Sequence, residues 1–256
     1  MRQQRCAGGE PIPSLREDLS AYKGAQELAT SNFEEGVTKR SILDSLKELL
    51  DTAEVLTEQR IREFPPVSSI DCRAGCSHCC QLRVLVTVVE AILLGDYIRA
   101  TFSALVKEDV TSRVCDAEAV TRALTDEEHG HAGIRCPLLK DDCCSVYEAR
   151  PMECRGYVSM DVKSCRRGAK DFAAWDVPVY SPRYSIFKNL QAGLLSAMFN
   201  AGFDYELLSL NSALRIALEH PDAAEQWLAG KDVFAPARVR APDPELDALR
   251  PWSPTF

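Results

Sequence analysis

The chain has 256 residues, of which 46% are hydrophobic and 27% are charged, and its formal net charge is −8. This length allows a sizeable buried core, either as one domain with a tail or as two closely packed halves. The negative charge argues against a general nucleic-acid-binding surface. No stretch is apolar enough to span a bilayer, and the first residues lack the apolar segment of a signal peptide. We therefore expect a cytoplasmic protein whose thiols stay reduced.

Residues 1–66 predict an N-terminal helical region. Apolar residues recur at three- and four-residue steps from Ile42 to Leu56, which places them on one face of a helix. The pair Pro65-Pro66 ends this pattern. We interpret the region as two helices that support the rest of the molecule.

Residues 67–182 contain most of the cysteines. Near their start, Val84-Leu85-Val86 is predicted to be extended, and Thr87 with Glu90 forms a capping box that begins a helix. Residues 130–182 are rich in Gly, Pro and Cys and show no sustained period, which is unusual unless something else organises the segment. We interpret this region as a metal-binding domain organised by its metal.

Helical periodicity resumes in residues 183–230, where an apolar stripe runs from Phe187 to Ala201 and Gly202 is placed to end the helix. Residues 231–256 carry five prolines and predict an extended or partly disordered tail. The expected fold is therefore mainly α. Helical N- and C-terminal regions pack around an irregular cysteine-rich core that binds metal.

The strongest functional signal is the run D-C-R-A-G-C-S-H-C-C at residues 71–80. Its spacing, C-x3-C-x2-C-C, lets thiolates curl around one centre, and Gly75 permits the tight backbone path that this requires. Successive side chains diverge, so Cys79 and Cys80 are awkward ligands for one mononuclear ion. A multinuclear cluster or two neighbouring centres relieves that problem. Eleven cysteines in a reduced compartment favour metal binding or redox chemistry over disulfides.

A second group of cysteines lies downstream. It comprises C-P-L-L at residues 136–139, C-C-S-V-Y-E-A-R-P-M-E-C-R-G-Y at residues 143–157, and Cys165. Arg150 and Arg155 lie within this group. We interpret them as cofactor-binding residues, because their positive charges would offset the negative charge of a thiolate-rich centre.

These motifs together resemble the YkgJ-like cysteine-cluster family, whose members are described as zinc- or iron-chelating or iron–sulfur proteins. The resemblance rests on C-R-A-G-C-S-H-C-C, the following T-V-V-E, C-P-L-L and C-S-V-Y-E-A-R-P-M-E-C-R, and it covers roughly residues 70–170. The cluster is also similar to that of the flagellin lysine methylases, which are associated with an iron–sulfur centre. By this resemblance the metal ligands are Cys72, Cys76, Cys79, Cys80, Cys136, Cys144, Cys154 and Cys165. Cys143 is the alternative to Cys144.

A competing motif is the radical-SAM spacing, which Cys72, Cys76 and Cys79 also match. The chain shows no repeated βα pattern that would build a barrel. His78 stands where that family usually has a bulky aromatic residue, and the only G-G-E lies before the cysteines. This interpretation is therefore less favoured. Fingerprints for nucleotide cofactors and the familiar hydrolases are also missing from the sequence.

A few reactive residues lie outside these motifs. Cys6 is interpreted as a free thiol near the N-terminus, and Cys115 as a small core residue of its helix. His129 and His131 could bind a metal as a pair. We interpret them instead as solvated loop residues.

Three functions compete. The first is an iron–sulfur protein with a [4Fe–4S] cluster that serves redox or group-transfer chemistry, as an oxidoreductase or a methyltransferase-like enzyme. Eight thiolates exceed the four that one such cluster needs. The second is a protein with two structural zinc sites, and the third is a binding module whose terminal helices contact a partner. The expected partner or substrate is a protein rather than nucleic acid or a membrane, and the motifs identify no catalytic residue.

Overall fold

The computed structural model describes residues 19–239, so the prediction for Cys6 lies outside the described residues. The described chain is mainly α-helical, as predicted, with two short antiparallel strand pairs. Among residues 19–239, no helix is both long and apolar enough to cross a membrane. The helices are α1 Ser20–Asn32, α2 Lys39–Glu63, α3 Val88–Thr101, α4 Ala104–Thr121, α5 Asp126–Ala132, α6 Met152–Gly156, α7 Val162–Lys170, α8 Ser181–Asn200, α9 Leu210–Glu219 and α10 Ala223–Leu228. The strands are β1 Leu85–Val86, β2 Leu139–Lys140, β3 Cys143–Cys144 and β4 Leu208–Ser209.

Helix α8 is the centre of the core. Every residue from Ile186 to Met198 is buried, so this helix is covered on all sides rather than along one stripe. It packs against α1, α2 and α6. A Cβ added at Gly193 would overlap the backbone of Tyr22 and the side chain of Ala25, so this glycine sets how closely α1 approaches α8.

Helix α3 begins with the predicted capping box, which the structure confirms. The Thr87 side chain accepts a hydrogen bond from the Glu90 backbone N–H, and the Glu90 carboxylate accepts one from the Thr87 N–H at 2.7 Å. The same carboxylate also accepts the Met152 N–H at 2.7 Å and the Gln191 side-chain amide at 3.1 Å. Glu90 therefore joins the starts of α3 and α6 to the central helix, and so connects the core to the cysteine-rich region.

The strands form two separate pairs. Strand β1 pairs with β4 beside the start of α3, where the sequence predicts an extended segment. Strands β2 and β3 form a hairpin in the cysteine-rich region. Its two-residue turn, Asp141-Asp142, has φ angles of 49° and 60°, the left-handed conformation that tight hairpin turns require.

The segment 130–182 contains more regular structure than its sequence pattern predicts. Helix α7 is nine residues long and was missed, because it buries only Ser164, Cys165 and Gly168 and so has no apolar stripe. The expected extended tail also differs at its start. Phe234 is buried and is followed by a short 3-10 turn, Ala235–Ala237, while residues 240–256 lie outside the described part.

Candidate metal centre

A cavity of about 430 Å³ collects most of the predicted ligands. Seven of the eight line it, and the eighth, Cys165, is buried outside its lining. None of these thiols is in a disulfide. The lining cysteines are Cys72, Cys76, Cys79, Cys80, Cys136, Cys144 and Cys154.

The first cysteine run forms a chain of tight turns. Backbone hydrogen bonds join Cys76 N to Arg73 O at 3.1 Å, Cys80 N to Ser77 O at 3.1 Å and Leu82 N to Cys79 O at 3.0 Å. Gly75 has a φ of 84°, which supports the predicted need for glycine at this position. This path places all four cysteines of the run in the wall of the cavity.

The hairpin distinguishes Cys144 from Cys143. Cys144 lies opposite Leu139 in the β2–β3 pair and lines the cavity, whereas Cys143 lies opposite Lys140 and is exposed. Successive strand residues point to opposite faces, which explains the difference. The hairpin is fixed to the first run by a 2.7 Å hydrogen bond from the Cys136 N–H to the Cys80 carbonyl.

Cys154 lies on α6, which packs against α8. A Cβ at Gly156 would lie 2.8 Å from the Phe187 Cβ, so the two helices are in close contact. Glu153 forms an ion pair of 2.9 Å with Lys188, a buried residue of α8. Cys154 is therefore held by the core of the molecule rather than by a loop.

Ser159 contacts two of the cysteines. Its backbone N–H donates to the Cys72 Sγ at 3.2 Å. Burial raises the pKa of the Cys165 thiol, and a hydrogen bond with the Ser159 side chain lowers it in part. The segment that carries Ser159 is bound to Asp71, because Asp71 N donates to Ser159 O at 2.9 Å and Val162 N donates to the Asp71 carboxylate at 3.1 Å. Cys165, one turn into α7, is thus placed beside the first run.

Burial keeps most of these thiols protonated in the metal-free protein. It raises the pKa of Cys136 to about 11 and that of Cys154 well above its ordinary value. Hydrogen bonds from the backbone act in the opposite direction on the pKa. The bond from Leu138 lowers the pKa of Cys136, and the bond from Val146 lowers that of Cys144. Such N–H donors stabilise thiolates, and a bound cation favours deprotonation strongly. The site is therefore suited to thiolates that a metal ion generates and these amides support.

The two arginines predicted to bind a cofactor have different environments. Arg150 stacks over the Tyr147 ring, with its guanidinium carbon 3.6 Å from the ring centroid. Its positive charge lowers the pKa values of Cys72, Cys79 and Cys144, although other effects, burial among them, raise these values by more. Within the described residues, no carboxylate lies at ion-pair distance from Arg150. Arg155 instead donates to the backbone carbonyls of Arg150, at 2.8 Å, and Glu148. Arg150 faces the thiols, and Arg155 holds the backbone around it.

His129 is buried, contrary to the prediction of a solvated loop residue. It lies on α5, only 5% exposed, and lines the cavity, and its Nδ1 has no hydrogen-bond partner among the described residues. Burial lowers its pKa. The ring of Phe172 covers this helix so closely that a Cβ at Gly130 would overlap it. The glycine next to His129 was the only feature of the sequence that pointed to this burial.

The donor set fits a thiophilic metal, although the thiols are not drawn together. Among residues 19–239, no three or more His, Cys, Asp or Glu side chains are arranged to hold a metal ion. A tetrahedral ion at a metal–sulfur distance of about 2.3 Å brings its sulfurs to about 3.8 Å from one another, so the side chains must close around it. Cysteine thiols in a partly open cavity, with amide donors to sulfur, are the ligands that zinc, copper(I) and iron–sulfur clusters select.

Comparison with known proteins agrees with this chemistry. Residues 71–175 match the family model CxxCxxCC, described as a putative zinc- or iron-chelating domain. No curated protein and no solved structure matched the chain. The match supports metal binding through cysteines and leaves the type of metal open. The cysteine-rich region of this chain is therefore similar to the CxxCxxCC family, the cysteine-cluster family that its motifs resemble.

Proposed function

We propose that this protein binds an iron–sulfur cluster in the cysteine-lined cavity and uses it for redox or group-transfer chemistry. The observation that carries the proposal is the cavity of about 430 Å³ with seven cysteines in its wall. A structural zinc ion is enclosed by four ligands and needs no such space. A polynuclear cluster needs both the space and the larger number of thiols.

The charges around the thiols support the same conclusion. A cluster ligated by thiolates is anionic, and Arg150 supplies a positive charge that acts on the thiols of Cys72 and Cys144. The amides of Ser159, Leu138 and Val146 donate toward sulfur. Hydrogen bonds to sulfur and nearby charge tune the reduction potential of such a cluster, so these groups suit a redox centre.

The chain's own residues have three tasks in this proposal. The ligands come from among the eight cysteines, with Cys144 rather than the exposed Cys143 from the hairpin. Apolar side chains, including Ile70, Leu82 and Val146, line the cavity and limit the entry of water. Arg150 orients an anionic group or offsets the cluster charge. When bound, the cluster would supply one-electron transfer or Lewis acidity, as in an oxidoreductase or a methyltransferase-like enzyme acting on a protein.

Anaerobic purification tests the proposal. The protein should be brown, absorb broadly near about 400 nm and contain iron, because thiolate-to-iron charge transfer colours such clusters. A colourless protein with stoichiometric zinc would contradict it. The Cys143→Ser variant serves as the matched control and should keep the colour.

Structural zinc is the second candidate, because eight thiols equal two closed four-ligand sites. In that case the metal holds the segment 130–182 together, and the helical regions bind a protein partner. Zinc without iron in the anaerobic preparation is the outcome that selects this alternative.

A further inference from the structure

We infer that Arg83 and His129 form a binding subsite in the cavity wall for an anionic group, a carboxylate or a phosphate, carried by the molecule on which the protein acts. Arg83 lies just before β1, and His129 lies on α5. The subsite rests on the proposed function in one respect, that a bound cluster acts on this molecule. Anion binding itself requires no particular metal.

His129 has an unpaired nitrogen in a buried position. The residue lines the cavity, and its Nδ1 has no hydrogen-bond partner among the described residues. A ring nitrogen of histidine is a donor or an acceptor in every protonation state, and burying it unpaired costs free energy. Such groups are rare in native proteins and call for an explanation. A ligand that pairs with the ring would provide one.

Arg83 leaves a second buried nitrogen unpaired in the same wall. Its Nε lies 3.1 Å from the Asp126 carboxylate without forming a hydrogen bond to it or to any other described residue. A terminal nitrogen of the same guanidinium donates to the Leu124 carbonyl. Arg83 is therefore held at the connection between α4 and α5, and Asp126 and His129 belong to the same short helix.

The backbone on both sides of the subsite is fixed before any ligand binds. Helix α5 begins at a capping box, and its Gly130 packs directly against the ring of Phe172. The segment that follows Arg83 is joined to α9, because the Leu210 N–H donates to the Val84 carbonyl at 3.0 Å. A preorganised site of this kind loses little conformational entropy when a ligand binds.

The charge of the cavity wall favours an anion over a cation. Only one carboxylate lines the cavity, that of Glu153, and it is paired with Lys188. The carboxylates that pair with lining arginines lie outside the lining. In a chain with a net charge of −8, this wall is a local excess of positive charge. Its six arginines are Arg73, Arg83, Arg135, Arg150, Arg155 and Arg183.

The cavity also has the size and surface of a small-molecule site. Its volume of about 430 Å³ lies within the usual range for such sites, about 300–1,000 Å³. Leu82, Ile134 and Leu210 contribute apolar surface to the same lining as Arg83 and His129. A mostly apolar wall with a few polar groups fixes the orientation of a ligand. An oxyanion is the group that accepts hydrogen bonds from both an imidazole and a guanidinium.

Titration of the anaerobically purified protein with inorganic phosphate and with acetate tests the subsite. Calorimetry at constant ionic strength gives a dissociation constant for each anion, and acetamide is the uncharged counterpart of acetate. We expect saturable binding of at least one anion and no binding of acetamide. The anion that binds more tightly distinguishes a phosphate group from a carboxylate.

Two variants locate the bound anion. His129→Leu removes the unpaired imidazole nitrogen, and Arg83→Gln removes the charge. Each should weaken anion binding about tenfold or more, because each loses a hydrogen bond to a charged group. The matched controls are His131→Leu and Arg122→Gln, which change exposed residues outside the lining and should bind as the wild type does.

The melting temperature of His129→Leu separates binding from packing. Without anion, this variant should melt no lower than the wild type, because an apolar side chain replaces a buried unpaired polar group. Lower melting together with unchanged anion binding would mean that the ring only packs, and would overturn the inference.

The remaining outcomes separate the subsite from the proposed cluster. A wild type that binds neither anion, or that binds acetamide as well as acetate, would overturn the subsite. So would a folded Arg83→Gln that binds as tightly as the wild type, and this variant decides if His129→Leu fails to fold. Zinc together with anion binding would support the subsite and contradict the iron–sulfur proposal. An iron–sulfur cluster without anion binding would do the reverse.

Discussion

At the scale of single residues, Arg150 is a positive charge that acts on three of the thiols. It stacks on Tyr147 and acts on Cys72, Cys79 and Cys144. We expect Arg150→Leu to make a bound cluster harder to reduce, because a reduced cluster carries more negative charge. The reduction potential should fall on the order of 100 mV, for one charge several ångströms away at an effective dielectric constant near 20.

A redox titration of the loaded protein measures this shift. Arg166→Leu is the matched control, since Arg166 is an exposed arginine of α7 next to Cys165. Equal potentials in the wild type and Arg150→Leu would show that Arg150 does not act on the cluster.

The vicinal pair of the hairpin gives a second prediction at this scale. Cys144 lines the cavity and Cys143 is exposed. Cys144→Ser should lose metal and lower the melting temperature, because ligand loss is coupled to folding. Cys143→Ser should change neither. Metal content and thermal melting of the two variants provide the comparison, and the reverse pattern would assign the ligand to Cys143.

At the scale of elements, Glu90 joins three helices. Burial raises its pKa above the ordinary value of 4.5, against hydrogen bonds from Thr87, Met152 and Gln191 that lower it. The native state therefore holds this proton more tightly than the unfolded chain. Its contribution to the free energy of unfolding is complete below about pH 4.5 and is lost as the pH rises through the higher folded-state pKa.

The variant Glu90→Gln should remove this part of the pH dependence. It should also lower the free energy of unfolding by on the order of 1–3 kcal/mol. The reason is that two backbone N–H groups donate to the carboxylate, and the glutamine side chain leaves one of them unpaired. Denaturant unfolding between pH 4 and pH 8 measures both effects. If the free energy of unfolding of Glu90→Gln depended on pH in the same way as that of the wild type, Glu90 would not titrate as described.

The contact between α1 and α8 allows a test with a matched pair of glycines. Gly193→Ala should destabilise the protein by about 1–3 kcal/mol, because the added methyl meets the backbone of α1. Gly24→Ala, on α1, meets nothing within 4 Å and should stabilise by up to about 1 kcal/mol. Equal effects in thermal or denaturant unfolding would argue against this packing.

Helices α2, α3 and α8 were predictable from the sequence, because apolar residues recur there at three- and four-residue steps. Helix α7 was not, because it presents Ser164, Cys165 and Gly168 to the interior and no apolar side chain. A periodic pattern of apolar residues therefore could not reveal this helix.

At the scale of the whole molecule, a helical core fixes one side of the cysteine cavity. Helix α8 supports α6 and Cys154, while Glu90 joins α3 to the same helix pair. The resemblance of the sequence motifs pointed to eight cysteines, and the structure places seven of them around one cavity. The neighbours of these cysteines could not be predicted, since the contacts of Ser159 and the burial of His129 join segments far apart along the chain.

The most direct test of the central claim is the ratio of acid-labile sulfide to iron in anaerobically purified protein. Inorganic sulfide is present in an iron–sulfur cluster and absent from a site built only from cysteine thiolates and metal ions. We expect sulfide and iron in a ratio close to one, and at least about four iron atoms per chain for a [4Fe–4S] cluster. Stoichiometric metal without sulfide would contradict it.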